Sequence, residues 1–337
     1  MKAKLVFLGM ILVLLAVPLS AACSSQAPKP SGPATLNLVA TWAKGAVAGA
    51  PGEYWVNELN RRANGEVTVN YKGGPEVIPT YDQQEAVIKG VIDIQHGPLN
   101  YFTGILPASH VLDVSPFLGD EQGPGTEIHN YLVEMWKEKG LRYLGEFTGS
   151  LDTGNFSVFT NKKVTKLEDL RGQKMRISPM AVQFAQATGI QAITMPLGDI
   201  YLGMERGTID GYIMPIWASF NEMDLPKVTK YMIDIPIYRG NTGNAMNLAS
   251  WEKLSANQQK LLLDTMVATM DWTRGFLDAE DKSQKARSKA AKMEFLKLSP
   301  EETQRYIKLS QDVIWAYYKE KLSAERYSKL RKLLKYD

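Results

Sequence analysis

The sequence predicts an α/β protein of two lobes, with a long helix near the C-terminus that reaches along both. Three observations predict it. Strands and helices alternate through the first two thirds of the chain, and one helix-to-strand junction recurs 117 residues later. From Ala256 to about Lys292 there is no proline, and only Gly275 interrupts the helix formers. Hydrophobic residues make up 45% of the chain and charged residues 22%, which describes a globular protein with a full core.

At the N-terminus, Lys2 and Lys4 precede the apolar run Leu5 to Leu19. A run of about 15 residues is too short for a permanent bilayer span and fits a cleaved export signal. Small residues then lead through Ser20-Ala21-Ala22 to Cys23, the only cysteine. This approach resembles the bacterial lipobox, with Ser20 where a large aliphatic residue is usual. Residues 1–22 are therefore expected to be a lipoprotein signal peptide, with Cys23 lipidated and the protein held outside the cytoplasmic membrane. Residues 23–34, with Pro28, Pro30 and Pro33, form a polar tether that has no capacity to pack.

The first strand is Thr35 to Ala40. A helix follows over Glu53 to Ala63, with Trp55, Leu59 and Ala63 on one face. Glu66 to Tyr71 reads as the next strand, closed by the turn Gly73-Gly74-Pro75. The recurring junction is Gln84-Glu85-Ala86-Val87-Ile88-Lys89-Gly90-Val91-Ile92-Asp93. Its echo is Tyr201-Leu202-Gly203-Met204-Glu205-Arg206-Gly207-Thr208-Ile209-Asp210. In each, the glycine suits the left-handed position that ends a helix. The long C-terminal helix starts at a capping box, Ser255 with Gln258. Unbroken, it is about 55 Å long at ~1.5 Å per residue, longer than one lobe; a break at Gly275 is the other reading. Ser299-Pro300-Glu301-Glu302 starts a further helix, and Ser323 to Leu334 a short last one.

Some functions are excluded at this level. The formal charge is +3 and no basic run stands beside an aromatic platform, so a nucleic-acid partner is not expected. The three histidines, His96, His110 and His129, lack metal-ligand spacing, and no metal or cofactor is expected. There is no Gly-x-Ser-x-Gly elbow and no triad pattern, which argues against an exported hydrolase or lyase.

Three stretches together resemble the extracytoplasmic substrate-binding proteins of TRAP (tripartite ATP-independent periplasmic) transporters. They are Asn64-Gly65-Glu66-Val67 through Gly73-Gly74 to Asp93, then Leu167 to Ile177, and Met195-Pro196-Leu197 through Tyr201 to Gly211. The resemblance implies the two-lobed periplasmic substrate-binding fold, with a cleft, crossing strands and a long helix along the back. Lobe I is expected at 35–153 plus 242–277, and lobe II at 154–241 plus 278–337. It further implies a small-molecule carboxylate ligand, a small and a large integral membrane subunit as partners, and no enzymatic activity. The binding protein of an ATP-driven importer shares this architecture and is the competing reading.

The resemblance assigns Arg176 to the ligand carboxylate, a role that the planar guanidinium fork suits. Taken alone, Arg176 reads as a solvated charge beside Arg171 to Lys174. Sialic-acid and C4-dicarboxylate binders of the family often carry a second arginine about twenty residues earlier, where this chain has Asn155 and Phe156. Where they often carry Gln-Glu-Asn-Pro, it has Tyr212-Ile213-Met214-Pro215. An apolar wall leaves a sugar or a second carboxylate desolvated without compensation. The expected ligand is therefore a monocarboxylate with an apolar or aromatic body, against Trp42, Tyr101, Phe156, Met214 and Trp217. The 2-oxo-acid branch of the family resembles the chain at Gly73 to Pro79 and places an amide where Asn155 stands. No acid lies between Met214 and Phe220, so a metal bridge to the ligand is not expected, and Arg239 is the candidate for a second cationic contact.

Overall fold

Two sheets divide the chain in the computed structural model, which describes residues 32–336 apart from 118, 151, 152, 154 and 219. The expected signal peptide and Cys23 lie outside the described residues. Among the described residues no helix is long and apolar enough to cross a membrane. Along the chain, β1 (Ala34–Ala40), β2 (Val67–Gly73), β3 (Ile94–Gly97) and β4 (Leu141–Phe147) belong to the first sheet. The second takes β5 (Phe156–Thr160), β6 (Lys174–Arg176), β7 (Gln191–Ile193), β8 (Gly211–Pro215) and β9 (Tyr231–Ile233). Then β10 (Thr242–Asn247) returns to the first sheet and β11 (Glu294–Leu296) to the second. The strand orders are β2-β1-β3-β10-β4 and β11-β9-β5-β8-β6-β7.

The chain crosses between the sheets after β4 and again after β9, and each crossing ends in an antiparallel strand. β10 runs antiparallel to β3 and β4, and β5 antiparallel to β8 and β9. The crossings are bonded side by side, with Phe156 N donating to Tyr238 O at 2.7 Å and Ile237 N to Phe156 O at 2.9 Å.

The sequence echo is a structural one. The helix Gln83–Ile88 leads through Gly90, at φ +71°, into β3, and Ile200–Glu205 leads through Gly207, at φ +67°, into β8. The aspartate closing each junction does the same work. Asp93 N donates to Asn37 O at 3.0 Å while its carboxylate accepts from Asn37 N at 2.8 Å. Asp210 N donates to Lys174 O at 2.6 Å while its carboxylate accepts from Lys174 N at 2.9 Å. Each aspartate thus registers its strand against a parallel neighbour, β1 in one lobe and β6 in the other.

The helix Ala256–Ala290 is continuous through Gly275, whose Cβ position is open, so the break does not occur. Its 35 residues reach about 52 Å. Leu262, Met266 and Met270 pack with Leu38 and Trp55 of the first lobe, whereas Leu277 packs with Phe159 and Tyr212 of the second. Next to Leu277, Asp278 accepts hydrogen bonds from Ser150 N at 3.1 Å, Ser150 Oγ at 2.5 Å and Thr153 Oγ1, all on the first crossing.

The helix Pro300–Lys321 packs on the second lobe through Tyr306 against Phe184, their rings 5.2 Å apart. The last helix, Ala324–Leu333, turns back to the first lobe: Lys329 pairs with Glu127 at 2.7 Å and Arg326 with Glu138. Tyr336 OH donates to Val114 O at 2.5 Å. We therefore propose the lobe division stated above with one amendment, that residues 324–336 cover lobe I.

Candidate ligand site

The parallel strands of both sheets point their C-terminal ends at one interlobe cavity, the place where open α/β sheets carry ligands. Trp42 follows β1, and Asn100 and Tyr101 follow β3. From the other lobe come Arg176 at the end of β6, Met214 near the end of β8, and Trp217 just beyond it. The crossings supply Phe156 at the start of β5 and Asn241 and Thr242 at the start of β10. The space between these walls is about 390 Å³, yet water can centre in only about 30 Å³ of it, so the cavity is a narrow slit.

Arg176 is only 1% exposed. Its Nε donates to Met195 O at 3.1 Å and its Nη1 to Ile213 O at 3.4 Å, whereas Nη2 is buried with no partner among the described residues. Its neighbours on β7 and β8 flank it, so the solvated reading of the basic stretch does not hold for this side chain. A buried guanidinium whose neighbours are neutral carbonyls and the Tyr81 phenol lacks the counter-charge that would offset its desolvation.

The six expected residues Trp42, Tyr101, Phe156, Arg176, Met214 and Trp217 all line the cavity. Asn155 and Arg239 do not, and form a backbone bridge with each other. Neighbours on an extended strand face opposite sides, and Phe156 takes the cavity face. Arg239 is spent elsewhere: it donates to Gly149 O at 3.1 Å, Ser115 O at 3.4 Å and Phe117 O, under the field of the buried acids Asp113 and Glu146. It locks the crossing in place, and the expectation of a second cationic ligand contact is corrected. Burial holds both acids well above the usual carboxylate range, and the proximity of Glu146 raises Asp113 further.

Residue-type reasoning missed Asn100, Ser178, Asn241 and Thr242, all in the lining. It also missed Tyr81, which is 41% exposed and lies 5.4 Å ring to ring from Tyr101. Burial raises the pKa of the Tyr81 phenol while the charge of Arg176 opposes the rise, which puts Tyr81 near that guanidinium. The segment bearing Tyr81 is held by the glycine pair before it. A Cβ on Gly74 would stand 2.2 Å from Trp42 O, and Gly73 has φ +134°. Only glycines allow the loop to lie on the main chain of a cavity residue.

The family model for bacterial extracellular solute-binding proteins, family 7, matches residues 38–321. The chain belongs to that family. Among curated relatives, a monocarboxylate 2-oxoacid-binding periplasmic protein of Nostoc is 22% identical over 51% of this chain and 48% of that protein. A 2,3-diketo-L-gulonate-binding periplasmic protein of Escherichia coli is 31% identical over 48% of this chain and 51% of that protein. The matched stretch spans about half the length of these relatives. A TRAP periplasmic solute-binding protein of Desulfovibrio salexigens with bound orotic acid superposes with a TM-score of 0.77 at 19% identity, covering 89% of this chain and 97% of that one. A Bordetella pertussis extracytoplasmic solute receptor binding pyroglutamic acid superposes with a TM-score of 0.76 at 14% identity, covering 89% and 99%. These likenesses establish the family 7 fold.

Proposed function

We propose that this family 7 protein is the extracytoplasmic receptor of a TRAP transporter, capturing an organic acid through Arg176 and presenting it to small and large membrane subunits. One observation carries the reading: a buried arginine without a carboxylate partner among the described residues stands in the interlobe cavity. A ligand carboxylate supplies the missing counter-charge through two parallel hydrogen bonds. The ligand in this reading is a monocarboxylate such as a 2-oxo, 2-hydroxy or aromatic acid, its body held by Phe156, Met214, Trp42 and Trp217. Capture occurs by hinge closure, because the carboxylate bonds lobe II while the body touches lobe I, and only the closed form makes both contacts. Export and lipidation at Cys23 would keep the receptor beside the membrane subunits.

Mass spectrometry of the co-purified ligand, followed by calorimetric titration, tests the reading. Arg176→Ala is expected to weaken binding by ~2–5 kcal/mol, the range for truncating one partner of a buried charge pair. Arg176→Lys should fall between, keeping the charge and losing the fork. Full affinity in the alanine variant would overturn the assignment.

A further inference from the structure

The long helix buries its two ends differently. On the lobe I side its inward residues include the apolar Leu262, Met266 and Met270, whereas beyond Leu277 the buried positions are Asp281, Gln284 and Ser288. Gln284 is fully buried, and both halves of its amide reach one loop. Its Oε1 accepts from Asn221 N at 2.9 Å and from Asn221 Nδ2, and its Nε2 donates to Glu222 Oε2 at 2.8 Å and to Glu280 of its own helix at 3.3 Å. The main-chain carbonyl of Gln284 accepts from Asn221 Nδ2 at 3.2 Å, and Arg287 pairs with Glu222 at 2.7 Å. Asn221 and Glu222 stand just past the stretch that carries Trp217 and Ala218 into the cavity lining. That stretch is strung between two fixed points. One is the end of β8 at Pro215, whose carbonyl accepts from Ala218 N at 3.2 Å. The other is Phe220, 4.8 Å ring to ring from Phe159, followed at once by the bonds to Gln284.

We propose that Gln284, acting with Asn221 and Glu222, is a positioning clamp through which the long helix fixes the Trp217–Ala218 wall of the cavity. A buried amide is costly unless both of its groups are met, and here an irregular loop meets them. The peptide N–H of Asn221 is met by the same side chain, so truncating Gln284 leaves the loop's own donor without that partner. The helix that bears Gln284 also carries the lobe I core, through Leu262, Met266 and Met270, and the first crossing, through Asp278. A wall tied to it keeps its place relative to lobe I and the crossing, not only to the lobe II sheet. Gln284 does not line the cavity, so it acts through Trp217 and Ala218 and not on the ligand itself. The inference rests on the reading that the cavity takes the ligand, and is indifferent to which acid that is.

Hydrogen exchange read by mass spectrometry, with calorimetric titration of pyruvate, 4-methyl-2-oxopentanoate and phenylpyruvate, tests the clamp. In Gln284→Ala the amides of 220–223 are expected to exchange about tenfold faster while those of β8 stay protected, and acids that bind the wild type to bind about tenfold more weakly. Glu222→Gln keeps an acceptor oxygen for Gln284 and should bind as the wild type does, whereas Glu222→Ala should weaken binding. Gln258→Ala is the control for stability alone. It removes a likewise buried amide, bonded to Gly32 O at 3.0 Å and Glu66 O at 2.9 Å, from the lobe I end of the same helix. That variant should melt at a lower temperature with loop exchange and affinity unchanged. Unaltered exchange at 220–223 in Gln284→Ala, or unaltered affinity beside faster exchange, overturns the clamp. So does an equal loss of affinity in Gln258→Ala. Arg176→Ala separates the clamp from the reading beneath it. If that variant loses affinity and Gln284→Ala does not, the clamp is wrong and the anchor holds. If affinity falls in Gln284→Ala but not in Arg176→Ala, the anchor is wrong and the clamp holds.

Discussion

Arg176 and Arg239 show what burial does to two side chains of the same kind. One spends its guanidinium on two carbonyls and keeps Nη2 unpartnered at the cavity; the other, away from the cavity, bonds two carbonyls of a lobe I loop and one of the first crossing and keeps its Nε unpartnered among the described residues. The acids near Arg239 make a residue-scale prediction about pH. Burial raises the Glu146 carboxyl above its ordinary value of 4.5, so the folded state keeps its proton to higher pH than the unfolded state does. Its contribution to stability is full below about 4.5 and is lost as pH rises through the folded pKa. His96 works in the opposite sense: burial lowers it from 6.5 to about 4, so its contribution is present above 6.5 and lost as pH falls towards 4. Urea unfolding of the wild type should therefore show stability falling on the alkaline side, and Glu146→Gln should flatten that limb. An unaltered alkaline limb in Glu146→Gln would show that this carboxyl is ionised in the fold.

Local chemistry is enough to define the elements. The long helix begins where Ser255 and Gln258 cap one another, with Gln258 N donating to Ser255 Oγ at 3.3 Å and Ser255 N to Gln258 Oε1 at 2.9 Å. The two junction glycines and their aspartates are likewise set within a few residues, which is why the repeat could be read before any contact was known. Gly275 is the exception to the helix-forming pattern, and it faces open space. Gly275→Ala should stabilise the protein by about 0.5–1 kcal/mol, the usual gain at an exposed helix interior. Chemical denaturation measures this. A loss of stability, or altered ligand affinity, would instead show that the helix bends at Gly275 when the lobes move.

At the scale of the molecule, the crossings and the long helix hold two lobes that each bring half of the site. Asp278 is the point where the helix grips the first crossing, so Asp278→Ala should cost about 1–2 kcal/mol of stability for the lost hydrogen bonds. It should also weaken ligand binding, although Asp278 does not line the cavity. Calorimetry on the folded variant checks both. Unchanged affinity would mean that this attachment plays no part in closure.

The sequence by itself determined the caps, the repeat, the start of the long helix and the family to which the chain belongs, because each of these is written in residues close together or in ordered motifs; that the helix runs unbroken through Gly275 was left to the structure. The side chains that meet the ligand are another matter. Arg239 finds its carbonyl partners 90 to 124 residues away, and the lining amides Asn100 and Asn241 lie far apart in the chain yet at the same end of the neighbouring strands β3 and β10. Only the packed crossings decide that one arginine is locked into the hinge and the other is left facing the cavity. The reason is physical: partner and exposure are properties of the surroundings, and for these residues the surroundings exist only once both sheets have been brought together.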